Sequence, residues 1–391
     1  MNELVKAAAS VQAPAYLFSE ALFEQRAMEV KEAFGPAVDL CFSIKANPFL
    51  LGILPKAFSK IEVCSPGELR ICEKMHMPMD MVIFSGVNKS EADIERAFHD
   101  HVGVMTAESR RHLEMINARG LKEGAVIPVL LRVTGGSQFG MDESDVLDII
   151  RSRNAYPGVV ITGLHYFTGT QKRKAKPILK ELDYLGELTD RIRETLDFEI
   201  LNLEYGTGLA VDYFKEDADA LEHERLTDIA EAIRQLGEKA HLTVEMGRFF
   251  AAPCGVYTTR VVDTKTNMGI NYAILDGGLH QLKYDGQIQG MQIPEITHIR
   301  SEAARETEAG KWTLCGSLCT TADVLARDAS FTDLQVGDLL VFHRTGAYSV
   351  MEGMAVFLSR DMPAVYLLGK DGSPVLVRKA GDTWQMNTSA E

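Results

Sequence analysis

The stretch Val38-Asp39-Leu40-Cys41-Phe42-Ser43-Ile44-Lys45, followed by Ala46-Asn47-Pro48, is a short apolar run that stops on a lysine. Seven more runs of this kind follow it. They are KIEVCS ending at Ser65, MVIFS at Ser85, VGVMT at Thr106, VIPVLLRV at Val133, VVITGLHYF at Phe167, EILNLEY at Tyr205 and LTVE at Glu245. Between them lie stretches such as SEADIERAFHD and ESRRHLEMINARG, with apolar residues at helical spacing. Strands alternating with amphipathic helices predict a parallel sheet with crossover helices, and eight strands close a (β/α)8 barrel. Helix starts agree with this count: Ser65-Pro66-Gly67-Glu68 offers a cap, a proline for the first helical position and an acid in the first turn.

Outward from the barrel the pattern changes. After about Arg248 the chain turns to alternating β-branched segments, GVYTTRVVDTK, YAILDGG and AVYLLGKDGSPVLVRK, the last with Asp371-Gly372 at a hairpin turn. This predicts an all-β domain, which the N-terminal AYLFS joins if it returns to pair there. The expected division is therefore a barrel over 20–247 and a discontinuous β domain over 1–19 and 248–391. A chain of 391 residues suits a barrel of roughly 250 residues plus a second domain.

Composition narrows the function classes. The chain is 46% hydrophobic and 25% charged, with no run apolar enough to span a bilayer, and MNELVKAAASVQAP is too polar for an export signal. A cytoplasmic protein with no membrane partner is expected. A formal net charge of -14 disfavours a nucleic-acid partner. Six cysteines without a CxxC pair suggest neither a disulfide framework nor a metal site.

In a barrel, the C-terminal ends of the strands face the active site. Here those ends carry Lys45, Glu62, Ser65, Arg132, His165, Thr170, Gly206, Gly208, Glu245 and Arg248. Inside the mouth, desolvation is expected to lower the pKa of the Lys45 amine and favour Schiff-base chemistry, whereas on a surface the same lysine would be ordinary. Gly206-Thr207-Gly208 leaves backbone amides open to a phosphate, or makes a tight strand-to-helix turn. Glu245 could face a pyridine nitrogen or pair with Arg248, whose planar fork suits a phosphate or carboxylate.

In order along the chain, SIKANP, EVCSPGEL, QFGMDES, GLHYFTGTQ, EYGTGL, VEMGRFF, LCGSLCTTAD and GDLLVFHRTGAYS resemble the fold-type III pyridoxal phosphate (PLP) decarboxylases, the group of diaminopimelate and ornithine decarboxylases. The resemblance covers nearly the whole chain. It implies an alanine racemase-like fold, PLP as cofactor, and Lys45 as the lysine that carries it, with Glu62 close by. It further implies Thr170 and the glycine loop at the phosphate, Glu245 on the ring nitrogen, Arg248 after it, and Tyr348 near the phosphate. Arg132 and His165 would line the cofactor pocket. Cys319 matches the catalytic cysteine, which the family's partner subunit donates, so a homodimer with shared sites is implied.

Two departures bear on substrate. The histidine that related enzymes stack on the ring is replaced by Phe167, with His165 two positions earlier. The glutamate that usually follows the cysteine in diaminopimelate decarboxylases is Thr320 here, and the Cys319-Thr320-x-x-Asp323 pattern looks more like the branch acting on amino acids carried by larger conjugates. That branch has natural-product and siderophore-precursor roles. Arg248, Thr320 and Asp323 are then expected to face the substrate, a small molecule or a carrier-tethered amino acid. The expected reaction is loss of CO2 from its Cα to leave an amine. Diaminopimelate, lysine or ornithine decarboxylation stands as one alternative, and an amino-acid racemase or a non-catalytic PLP-binding protein as others. Glu245 disfavours the racemase, and the long β region disfavours the carrier.

Overall fold

In a computed structural model of the chain, which describes residues 3–301 and 309–389, all eight runs become strands of one closed parallel barrel. After β1 (Ala15–Ser19) these are β2 (Asp39–Ser43), β3 (Phe58–Val63), β4 (Val82–Phe84), β5 (Val104–Ala107), β6 (Ile127–Val133), β7 (Val159–Phe167), β8 (Asn202–Gly206) and β9 (His241–Met246). They pair in chain order, and β9 returns to β2 with Cys41 opposite Glu245.

The crossover helices start where capping chemistry puts them. Ser90 accepts from the Asp93 amide while Asp93 accepts from the Ser90 amide, a full capping box opening the helix Glu91–His99. Ser65 caps the helix Pro66–Lys74 through the Glu68 amide. Glu68, however, reaches one residue further back than a capping box would, accepting from the Cys64 amide at 2.6 Å. The helix Ala175–Leu196 buries Ile178, Leu182, Leu185, Leu188 and Ile192, an apolar stripe at helical spacing that packs onto the barrel. Each such side chain contributes about 1.5–3 kcal/mol on burial.

The remaining strands are β10 (Gly255–Asn267), β11 (Ile270–Leu275), β12 (Ile296–Ile299), β13 (Ala309–Cys315), β14 (Val324–Thr332), β15 (Leu339–Phe342), β16 (Ala364–Leu368) and β17 (Pro374–Arg378). They form one sheet in the order β14-β13-β11-β10-β1-β16-β17, with β15 joining β10 to β12. The N-terminal AYLFS thus does return, as β1 between β10 and β16. The expected hairpin at Asp371-Gly372 joins β16 to β17, with Gly372 at φ 76°. The region after Arg248 does not begin as sheet: Arg248–Ala251 and Ala252–Cys254 are helical turns that lead the chain out of the barrel.

Two features hold the β domain on the barrel. Asn47, just after the Lys45 turn, donates to the Gly346 carbonyl at 2.8 Å, and the Tyr348 amide donates to the Ala46 carbonyl at 2.7 Å. Near the start of the helix Ala218–Gly237, buried Glu222 is paired with Arg26 at 2.9 Å and with Arg344, which follows β15.

Candidate active site

Side chains alternate across a strand, so the outward residues of β7 and β8 identify the inward ones. Tyr205 donates to Glu181 of the helix Ala175–Leu196 at 2.6 Å, and Tyr166 packs on Tyr184 of the same helix. Tyr166 and Tyr205 therefore point out of the barrel. His165, Phe167, Glu204 and Gly206 point in.

Lys45 lies in the short turn Ile44–Ala46 directly after β2. Its Nζ is 2.8 Å from Glu62 Oε2, 3.3 Å from Glu245 Oε1 and 3.5 Å from Cys64 Sγ. Both acids are buried, while the Lys45 side chain is one-third exposed. Ser43 donates to Glu245 Oε1 at 2.6 Å, and His165 Nε2 lies 3.2 Å from Glu245 Oε2. The Glu62, His165 and Glu245 donor atoms cluster closely enough to hold a metal ion. The Lys45 ammonium already supplies the positive charge between the two carboxylates.

This arrangement corrects the expected titration of Lys45. Burial does push its pKa down, but Glu62, Cys64, Glu245 and Tyr348 outweigh it, and the pKa stands well above the ordinary 10.5. Desolvation alone was the wrong guide because the amine sits directly against two buried counter-charges. Glu245 feels the same field from the other side. Burial would raise its pKa, yet Lys45 and the His165 hydrogen bond hold it well below the usual carboxylate range. Glu245 is thus paired with Lys45 and His165, not with Arg248.

Arg248 instead receives support from two tyrosines. Its Nη1 donates to the Tyr213 hydroxyl at 3.0 Å, and its guanidinium stacks 4.4 Å above the Tyr348 ring. Tyr348 adopts φ 63°, a conformation costly for a side chain with a Cβ, and the bond from its amide to Ala46 holds it there. Arg132 points inward from β6, paired with Glu108 at 3.0 Å and stacked on Phe139 at 4.8 Å. Phe167 presents its ring 5.9 Å from Lys45 Nζ.

The glycine loop shows why glycine is needed. A Cβ at Gly206 would sit 2.5 Å from the Phe167 ring, and one at Gly208, where φ is +65°, would meet the Gly169 carbonyl oxygen at 2.0 Å. The loops after β7 and β8 lie that close because the Lys172 amide donates to Gly208 O at 2.8 Å and the Val211 amide to Gln171 Oε1 at 2.8 Å. Thr207 is buried in this contact and Thr170 is exposed on its rim.

Cys319, Thr320 and Asp323 of the β domain, unlike Tyr348, lie apart from this cluster's hydrogen bonds among the described residues. Cys319 is exposed on the loop between β13 and β14. Thr320 accepts from the Ala322 amide at 3.3 Å, and buried Asp323 accepts from the Leu279 and Leu318 amides, both at 2.8 Å. Asp323 thereby shapes the loop that carries Cys319.

Four contributors escaped the sequence reading. Ser43 sits two residues before Lys45, and strand alternation alone would have placed it near the site. Cys64, two residues after Glu62, carried the same signal, whereas Tyr213 had none, since its role arises from a contact distant in sequence. The fourth is Glu204, buried beside His165 in register, with neither oxygen hydrogen-bonded and its pKa driven well above the usual value by burial and then by Glu245 and Glu62.

Comparison with known proteins bears on this geometry. The family model for the pyridoxal binding domain of pyridoxal-dependent decarboxylases matches residues 20–252. The L-glutamyl-[BtrI acyl-carrier protein] decarboxylase of Niallia circulans is 28% identical, covering 95% of this chain and 92% of that one. The diaminopimelate decarboxylase of Aquifex aeolicus is 26% identical over 94% of this chain and 89% of its own. Among solved structures, diaminopimelate decarboxylase from Helicobacter pylori complexed with L-lysine matches with a TM-score of 0.83 at 23% identity, covering 97% and 98% of the two chains, a likeness of fold.

Proposed function

The chain belongs to the pyridoxal-dependent decarboxylases, and we propose that it removes CO2 from an amino acid carried on a larger conjugate, with Lys45 holding the cofactor. The observation that carries the site assignment is the Lys45 amine set at the barrel mouth between two buried acids, one of them braced by Ser43 and His165.

The residues present fit pyridoxal phosphate. The Lys45 amine would bind the aldehyde, the ionised Glu245 would serve the ring nitrogen, and the glycine loop, whose backbone leaves no room for a Cβ, would face the phosphate. Glu62, Arg132, His165, Phe167, Thr170, Gly206, Thr207, Gly208, Arg248 and Tyr348 complete the proposed pocket. When bound, the cofactor supplies an electron-withdrawing ring that stabilises the negative charge left on Cα as CO2 departs. Glu245, held ionised by Lys45 and His165, would keep a proton on the ring nitrogen. Lys45 would hold the cofactor's aldehyde carbon through its amine and give up that position to the substrate amine. Phe167 supports the ring with an aromatic face but cannot donate a proton, so the imidazole near the site is that of His165, turned toward Glu245. Arg248, stacked on Tyr348, offers its fork to a phosphate or a substrate carboxylate. Cys319, from a second copy in a cytoplasmic homodimer, returns a proton to Cα; Thr320 and Asp323 belong to its loop.

The conjugate reading is supported by Thr320 after the cysteine, where a glutamate would read the far end of diaminopimelate, and by the relative named for a carrier-bound glutamyl group. Free diaminopimelate, the substrate named for the Aquifex relative, is the second reading. The test is CO2 release from diaminopimelate, lysine, ornithine, arginine and glutamyl conjugates. The purified protein should be yellow, with a band near ~420 nm that Lys45→Ala abolishes. A colourless protein that takes up no cofactor would refute the assignment of Lys45, and turnover of diaminopimelate alone would refute the conjugate reading.

A further inference from the structure

Just beyond Thr170 the chain reads Lys172-Arg173-Lys174-Ala175-Lys176-Pro177-Ile178-Leu179-Lys180, five cations in nine residues without one acid, in a protein of net charge -14. The fold uses two of the five. Lys172 is paired with Glu181 at 2.6 Å, and Arg173 is paired with buried Asp212. Lys174, Lys176 and Lys180 are exposed, and among the described residues the side chain of none of the three has a hydrogen bond or ion pair.

Local physics disfavours charges of this sign here. A helix N-terminus carries partial positive charge and prefers acids in its first turn. The helices Glu91–His99 and Glu143–Arg151 obey that rule, and the helix Arg110–Glu123, which opens on two arginines, is at least capped by Ser109, whereas the helix Ala175–Leu196 starts from Lys174, which makes no side-chain cap, and has no acid in its first turn. A cluster that breaks a local rule with no compensating contact inside the fold points to something outside it. The cluster also sits at the mouth. It begins five positions after the end of β7, and the Lys172 amide is bonded to Gly208 of the glycine loop.

Decarboxylation at Cα requires both the α-amine and the α-carboxylate to be free, so a tethered substrate must be attached through its side chain. Such a substrate enters the mouth amino-acid end first, and whatever carries it remains at the rim. We propose that Lys174, Lys176 and Lys180 form the docking surface for an acidic carrier protein that presents a tethered amino acid to Lys45. This rests on the conjugate reading of the function. Exposed charges of this kind add little to affinity pair by pair but accelerate encounter and make it sensitive to salt.

The experiment uses the cofactor-loaded enzyme and its K174E/K176E/K180E variant. Each is given L-glutamate joined through its side-chain carboxyl as a thioester, either to an acidic acyl-carrier protein or to N-acetylcysteamine. The variant should lose about ten- to a hundred-fold in kcat/KM on the carrier-bound substrate. It should keep wild-type kinetics on the small thioester. Raising NaCl from about 50 to about 500 mM should reproduce the loss in the wild type. Unchanged kinetics with the carrier overturn the docking surface, and so does an equal loss on both thioesters, because the segment would then serve the site itself. A wild type that decarboxylates free amino acids but neither thioester ends the conjugate reading, and the docking surface falls with it.

Discussion

Lys45 is held as an ammonium by the acids that surround it, yet it must be neutral to attack an aldehyde. Because its pKa stands well above 10.5, only a small neutral fraction exists near neutrality, and that fraction grows tenfold with each pH unit. Cofactor uptake by the apoprotein, followed as growth of the band near ~420 nm, should therefore accelerate about tenfold per unit between roughly pH 7 and 9. Glu62→Gln, which removes the nearest carboxylate, should speed uptake at fixed pH; a rate independent of pH would show that the amine is already neutral. Glu204 titrates in the opposite sense to Glu245. Its folded pKa is raised above that of an ordinary glutamate, so the native state binds the extra proton more tightly. Its contribution to stability is fully present below the unfolded value near 4.5 and is lost as pH climbs toward the folded value. Glu204→Gln mimics the protonated acid and should flatten the fall of Tm with rising pH. An identical pH profile for the variant would mean that Glu204 is ionised in the folded protein.

At the scale of elements, strand count, barrel closure and the caps at Ser65 and Ser90 were legible because they depend on local patterns: apolar runs of the right length, and hydroxyls three residues before an acid. The return of β1 to the far sheet was legible only as a possibility, since AYLFS carries no mark of its partners Val256 and Tyr366. What the sequence could not show was electrostatic. Whether burial raises or lowers the pKa of Lys45 depends on which side chains are buried with it, and Glu62 and Glu245 lie on strands separated from it by 17 and 200 positions. The glycine loop falls between these cases. Two glycines flanking Thr207 were visible, but the reason for them, loops in contact across the ends of β7 and β8, is a tertiary fact. Gly208→Ala places a Cβ against a carbonyl oxygen at a left-handed backbone position, so it should force the two loops apart. A cofactor Kd raised at least tenfold by absorbance titration, with the barrel still folded by circular dichroism, is the expected result; an unchanged Kd would show that the loop does not touch the phosphate.

For the whole molecule, the placement of Cys319 is the decisive question. The β domain is fixed to its own barrel along the segment that follows β15, by Asn47 and Ala46 bonded to Gly346 and Tyr348, and by Arg344 on Glu222. Removing one partner from a buried ionic pair such as Glu222 with its arginines commonly costs 3–5 kcal/mol, so this attachment resists hinge motion. A domain held this way keeps its exposed Cys319 loop where the chain's own fold puts it, free of hydrogen bonds to the Lys45 cluster among the described residues. In the proposed dimer the thiol meets the Lys45 site of the other copy, so that each site is a joint product of two chains. If so, Lys45→Ala and Cys319→Ala homodimers should each be nearly inactive, while an equal mixture allowed to exchange subunits should regain about one quarter of wild-type activity. Half of the dimers in that mixture are mixed, and each mixed dimer has one site with both residues intact. Recovery should appear at the rate of subunit exchange and vanish if the dimers are cross-linked beforehand. A mixture that stays inactive, although subunit exchange is demonstrated by differently tagged chains, would place Lys45 and its proton donor within a single chain.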